Sequence, residues 1–201
     1  TSSRSATSAP SPAAIPSVLR LFFFILLINI IQSSNLRNLV SPKITEGIIN
    51  YKNGEKYEGH IKNGLRDGQG IYYYNNGDKY EGSWINDKRE GKGIYIWKNG
   101  DKFEGYFEND IFGDYGKFIY KNGGRYEGHL KDGKREGKGV YYFPNGNRYE
   151  GEFKNDKRDG QGVYYWKDGD RTVGNFANDQ SVGLHAMLLA KGEVVEKKYN
   201  K

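Results

Sequence analysis

From residue 57 onward the chain repeats itself every 23 residues with no insertion or deletion. Tyr57, Tyr80, Phe103, Tyr126, Tyr149 and Thr172 open six units. Two residues later Gly59, Gly82, Gly105, Gly128, Gly151 and Gly174 recur without exception. An apolar residue follows four positions in, as Ile61, Trp84, Phe107, Leu130, Phe153 and Phe176. Glycine returns eleven, thirteen and twenty positions in, and Gly47 and Gly54 fit a half-unit at the front. Together 24 of the 28 glycines obey this scheme. Such a period means that neighbouring units bury each other's apolar faces, because a single unit cannot bury its own.

Within a unit the period is that of strands. Tyr57, Gly59 and Ile61 alternate with Glu58 and His60, which predicts one strand with its ring-bearing side on one face. Gly70, Tyr72 and Tyr74 alternate with Ile71 and Tyr73 in a second strand. Asn-Gly or Asp-Gly pairs at 76–77, 99–100, 122–123, 145–146 and 168–169 predict tight hairpin turns between units. The connection from Lys62 to Gln69 reads as longer and looser. Glycine inside a strand costs about 0.5–1 kcal/mol relative to alanine. Its regular retention predicts that each glycine makes room for an aromatic ring of the neighbouring strand. The expected fold is all-β: one elongated sheet of tandem antiparallel β-hairpins. Two strands per unit give about 10 Å per repeat and on the order of 60 Å for six.

The stretches Tyr80–Gly93 and Tyr149–Gly162 carry Tyr-Glu-Gly, an apolar residue, Asn-Asp, Lys-Arg and Gly-x-Gly at fixed spacing. In this the chain resembles the MORN (membrane occupation and recognition nexus) repeat, over six tandem units and a leading half-repeat. Repeat 3 departs at Phe112-Gly113-Asp114, and repeat 6 departs at Thr172, Ser181 and His185, as a terminal cap would. The resemblance implies a scaffold or membrane-associated module without catalysis. It also implies two alternatives: a regulatory module of the kind found beside phosphatidylinositol phosphate kinases or lysine methyltransferases, or a ciliary or cytoskeletal component.

Composition separates the ends from the repeats. Nine of eleven serines and four of five prolines precede Gly47, whereas every glycine and every tyrosine lies at or after it. Residues 1–17 read as a disordered Ser/Ala/Pro-rich leader and 32–46 as a linker. Residues 47–194 read as the repeat domain and 195–201 as a basic tail. Between leader and linker, Val18 to Ile31 forms an apolar run that is too short for a spanning helix of about 20 residues. It fits a signal peptide or signal-anchor, which predicts membrane association; the alternative is a cytoplasmic or cytoskeletal location. The formal charge of +6 sits at the ends, and residues 57–194 sum to zero. A nucleic-acid binder concentrates Lys and Arg on its folded body, so that partner class is not expected. The absence of cysteine removes disulfides and thiolate metal sites.

No phosphate-loop motif is present, and the Gly-Lys-Gly runs at 91–93 and 137–139 lie on the repeat template with no helix after them. Glu58, Glu81, Glu104, Glu127 and Glu150 share one repeating environment. A catalytic carboxylate pair needs divergent environments. No catalytic residue, metal or cofactor is expected.

Two surfaces remain. Arg66, Lys88, Arg89, Lys134, Arg135, Lys157 and Arg158 recur along one edge. They fit contact with anionic lipid, at about 1 kcal/mol per residue near a membrane surface. They equally fit an internal role, with the Arg stem on a ring and its head on an acid of the next unit. Asp67, Glu90, Glu136 and Asp159 follow each Arg and offset its charge. The second surface is an apolar stripe of Ile71, Tyr73, Ile94, Ile96, Val140, Tyr142, Val163 and Tyr165. It is either buried by curvature or open to a protein partner or a second copy.

Overall fold

A computed structural model describes residues 25–29 and 43–199 of the protein. Two compact units divide at Lys43. In the first, residues 25–29 are helical and exposed. The leader at 1–17, the rest of the apolar run at 18–31 and most of the linker lie outside the described residues. Among the described residues no helix is long and apolar enough to cross a membrane.

The second unit is built of strands alone. They are β1 (Ile44–Asn50), β2 (Lys56–Lys62), β3 (Leu65–Tyr73), β4 (Lys79–Ile85), β5 (Lys88–Ile96), β6 (Lys102–Glu108) and β7 (Ile111–Ile119). There follow β8 (Arg125–Lys131), β9 (Lys134–Tyr142), β10 (Arg148–Lys154), β11 (Lys157–Tyr165), β12 (Arg171–Ala177), β13 (Gln180–Leu188) and β14 (Val194–Tyr199). They form one open antiparallel sheet in strict chain order. The sheet is wider than the expected 47–194. Ile44–Glu46 of the linker pair with β2, and Val195–Tyr199 of the tail pair with β13. The turn at Ala190–Glu193 repeats the geometry of the earlier inter-unit turns, so the chain after it continues as a strand.

The repeating glycines explain the register. Gly47, Gly59, Gly70, Gly82, Gly93 and Gly105 face one another in a row across β1 to β6. The row continues through Gly116, Gly128, Gly139, Gly151, Gly162 and Gly174. The opening ring of each unit lies over two of these glycines, one in its own strand and one in the next. A methyl on Gly82 would stand 2.5 Å from the Tyr80 Oη and 2.6 Å from the Gly93 Cα. Tyr57, Tyr80, Phe103, Tyr126 and Tyr149 are accordingly fully buried. Each meets the aromatic residue four positions into the next unit edge-on where both are rings, as Tyr80 and Phe107 do at 4.8 Å between centroids. All these rings lie on one side of the sheet, the ring face.

Two expectations need correction. The glycine eleven positions in is no ring seat. Between Gly59↔Gly70 and Ile61↔Arg66, three residues of β3 oppose the single residue His60 of β2. The bulge is made at Gly68, whose φ is +112°; left-handed backbone of this kind is where glycine is cheapest. The turns are also reversed from expectation. The supposedly loose connection is a two-residue turn, Asn86-Asp87 in repeat 2, with φ of +47° and +67°. Two successive positive φ angles are the I′ signature. The Asn-Gly sites between units belong instead to wider loops closed by Gly77 N–H to Tyr74 O at 3.1 Å and Tyr74 N–H to Asp78 O at 3.0 Å.

Candidate functional site

The basic edge is built by the two-residue turns. In repeats 1, 2, 4 and 5 the Arg nine positions in reaches the Asp of the next unit's turn. Arg66 Nε–H donates to Asp87 Oδ1 at 2.9 Å, its main-chain N–H donates to the same oxygen at 2.8 Å, and its terminal NH₂ donates to the Asp87 carbonyl. Asp87 N–H returns a bond to Arg66 O at 2.9 Å. Arg89 with Asp110, Arg135 with Asp156 and Arg158 with Asp179 repeat this clamp. The guanidinium lies over rings as well, Arg66 4.2 Å from the Trp84 ring centre. The four arginines are about four-fifths buried. The acids that follow them are also engaged across units: Glu90 accepts from Asn109 N–H and Glu136 from Asn155 N–H, both at 2.9 Å. Of the basic residues singled out, Arg66, Arg89, Arg135 and Arg158 therefore tie one repeat to the next. Lys88, Lys134 and Lys157 stay exposed, Lys88 Nζ donating to Asn109 Oδ1 at 3.1 Å.

A second inter-unit bond runs along the wider loops. Asp78 Oδ1 accepts from Lys98 N–H at 2.8 Å, and Asp78 Oδ2 accepts from Tyr95 Oη–H at 2.7 Å. Burial pushes the Asp78 carboxyl upward, but these donors and Asn76 outweigh it and hold it below its ordinary value. On the ring face, burial pushes the Tyr57 and Tyr149 hydroxyls up to about 12.

The face opposite the rings is a mosaic. Ile71, Tyr73, Ile94, Ile96, Val140, Tyr142, Val163 and Tyr165 all lie there and all are half-buried. They do not make an unbroken apolar stripe. Ile71 sits between Glu58 and Glu81, and Tyr142 between Arg125 and Arg148. Cations cover some of the rings: Arg125 lies 4.1 Å from the Tyr142 ring centre and Arg148 4.0 Å from that of Tyr165. Because the glycine row points its missing side chains at the ring face, this face carries bare backbone between two banks of side chains. The result is a trough across the strands. Its largest section, about 710 Å³, lies between Val140, Val163, Glu127 and Glu150 on one bank and His129 and Gln161 on the other. Smaller sections of about 430 and 230 Å³ continue it over repeats 1 to 3. The individual residues of the stripe were legible in sequence; the trough was not. Its signal is the same glycine spacing, read from the other face. Among the described residues no cluster of His, Asp or Glu is placed to hold a metal ion.

The family model described as MORN repeat matches five consecutive units, residues 57–79, 80–102, 103–125, 126–148 and 149–171. No curated protein matches. Among solved structures, the chain is similar to the SAS-4 (dCPAP) TCP domain of Drosophila melanogaster in complex with a proline-rich motif of Ana2 (dSTIL). The identity is 17%, the TM-score 0.45, and 80% of this chain and 97% of that one are covered. It is also similar to the TCP10c domain of Drosophila melanogaster Sas-4, at 15% identity and a TM-score of 0.38 over 77% and 100% of the two chains. The CPAP G-box domain follows at 9% identity and a TM-score of 0.35 over 78% and 100%.

Proposed function

The chain belongs to the MORN repeat family, and we propose that it is a non-enzymatic scaffold that docks protein partners along the open face of its sheet. The observation that carries this reading is the trough, a long shallow channel floored by bare backbone and banked by alternating carboxylates and apolar side chains. Such a channel admits a chain lying across the strands, with apolar groups toward Val140 and Val163 and polar groups toward the glutamates. An enclosed pocket for a small molecule would bury its ligand far more completely. The rival surface, the basic edge, supports lipid contact poorly. Its arginines are held between repeats, so of the seven basic residues singled out only Lys88, Lys134 and Lys157 stay exposed.

The test compares the proteins retained by the native chain with those retained by V140D/V163D, both checked for unchanged far-ultraviolet circular dichroism. A reproducible set of partners lost from the variant is the expected result. An unchanged set refutes open-face docking. In parallel, K88S/K134S/K157S is sedimented with anionic vesicles; a large loss of a strong native signal would move the function to the lipid edge.

A further inference from the structure

One junction of the array breaks the inter-unit bonds, and it does so in matched pairs. In repeat 3 the clamp Arg is Phe112, and in repeat 4 the turn Asp that would receive it is Gly133. Phe112 joins the ring stack, 4.6 Å from Phe103 between centroids, and lies where a methyl on Gly133 would meet it at 3.3 Å. Along the wider loops the acceptor Asp is Gly124, and the residue that would donate to it is Pro144, which has no N–H. Among the described residues the main-chain bond from turn to Arg carbonyl, present at four other junctions, is missing between Gly133 and Phe112. The β7–β8 ladder starts one pair late, at Tyr115↔His129.

The same junction departs from the template in charge. Ile111 replaces the edge lysine and is 62% exposed. Glu108 stands where the other units have Lys, Ile or Ala. Asp132 stands where they have Asn, and Asp114 where they have Gly. These three carboxylates are exposed and make no ion pair among the described residues. Together these residues open a notch of about 730 Å³ with Ile111, Phe112 and Leu130 as its apolar lining and Glu90, Glu108, Asp114 and Asp132 around it against a single cation, Lys131. Elsewhere along this edge each Lys-Arg pair has one acid in the turn before it and another directly after it; repeat 3 keeps Asp110 and Asp114 without the pair and adds Glu108, so its stretch is negative around an apolar floor.

We infer that the repeat 3–repeat 4 notch is a docking site for a basic segment of a partner protein, in which an apolar side chain is flanked by Lys or Arg. The apolar lining takes the anchor and the three carboxylates take the flanking cations. Desolvated charge complementarity at an otherwise balanced edge selects against acidic segments and against anionic lipid. This goes beyond open-face docking: the notch lies at the edge formed by the two-residue turns, so either surface can fail without the other.

The test uses the full chain and three fluorescein-labelled hexapeptides. Lys-Arg-Leu-Phe-Lys-Arg is the probe, Lys-Arg-Ser-Ser-Lys-Arg lacks the anchor, and Glu-Glu-Leu-Phe-Glu-Glu reverses the charge. Binding is read by fluorescence anisotropy at two salt concentrations. The first peptide is expected to bind at least tenfold more tightly than either control and to weaken with salt. E108Q/D114N/D132N, which removes charge at constant shape, is expected to lose at least tenfold, and so is I111K. Both change exposed positions, and I111K restores the residue type of repeats 2, 4 and 5, so both fold. Equal binding by native and variant chains overturns the proposal. So does equal binding of the anchor-free peptide, which would reduce the site to unspecific charge, and so does no measurable binding of the first peptide.

Discussion

Repeat 6 exchanges the two halves of its central contact, and this makes a double-mutant cycle informative. In the other units a ring at the opening position covers glycines two and thirteen positions in. Its hydroxyl, where present, donates to the carbonyl three positions in, as Tyr126 Oη does to His129 O at 2.7 Å. In repeat 6 the opening residue is Thr172, and the thirteenth position is the fully buried His185. The His185 ring covers Gly174 from the opposite strand, and its Nε2 lies 2.8 Å from Asn175 O, the carbonyl three positions in. That carbonyl can only accept, so Nε2 carries the proton. H185G removes the ring and the donor together. Deleting a buried aromatic side chain costs about 3–5 kcal/mol, and an orphaned buried carbonyl adds about 1–3. T172Y alone drives a second ring into the same seat, at about 1–3 kcal/mol for overpacking. The double variant T172Y/H185G restores the arrangement of repeats 1, 2, 4 and 5. It is expected within about 1 kcal/mol of the native chain, because packing volume and donor are both regained. The coupling is then on the order of 5 kcal/mol, above the usual range for neighbouring residues. Urea unfolding together with amide exchange across β12 and β13 measures it. Additive effects, or a T172Y variant as stable as the native chain, would refute the exchange.

The clamp makes R135A destabilising by about 2 kcal/mol, since it removes charge-assisted bonds at a mostly buried guanidinium; R135K should recover less than half, because an ammonium lacks the fork geometry. Urea midpoints for both variants decide this. G82A should cost about 2–3 kcal/mol, as its methyl meets backbone as well as ring. G146A, with its methyl 3.6 Å from Lys167 Cβ, should cost only the roughly 1 kcal/mol of a left-handed turn; thermal melts should rank the two in that order. Tyr57 and Tyr149 have folded-state values raised from 10.0 to about 12. Their contribution to stability is thus complete below pH 10 and declines as pH rises toward 12. Alkaline titration at 295 nm should show this late ionisation merging with loss of near-ultraviolet circular dichroism. Full ionisation at pH 10 with the sheet intact would contradict it.

Much of this fold is legible in the sequence because the period never slips. Tyr57, Gly59 and Gly70 define a ring and its two seats once the units are aligned. What escapes a sequence reading is what identical letters do in different backbone. Gly68 and Gly70 are two residues apart and equally regular, yet one turns a bulge with positive φ and the other lies under the Tyr57 ring. The turn chemistry misleads for a related reason. Asn-Gly is a strong hairpin signal, but the tight turn here is often Asn-Asp, whose aspartate is held by the preceding unit's arginine. That partner lies 21 residues upstream, beyond the reach of local patterning. The edge arginines therefore fit two roles in sequence and one set of bonds in space.

A tandem array supplies its own controls, since each position is seen five or six times in nearly the same surroundings. Departures from the template then fall into two kinds. Phe112 with Gly133, Gly124 with Pro144, and Thr172 with His185 are departures in pairs, each member removing the need that the other would have met. Such pairs preserve the stack and have a structural explanation. Glu108, Asp114 and Asp132 are different. Each adds a charge where the other repeats are neutral, basic or bare, and none finds a counterion among the described residues. Like charges gathered at one edge repel one another and give the sheet nothing in return. Their return lies outside the chain, and the exposed Ile111 and half-buried Phe112 beside them say what it must contain: a cation to meet the carboxylates and an apolar group to cover the rings.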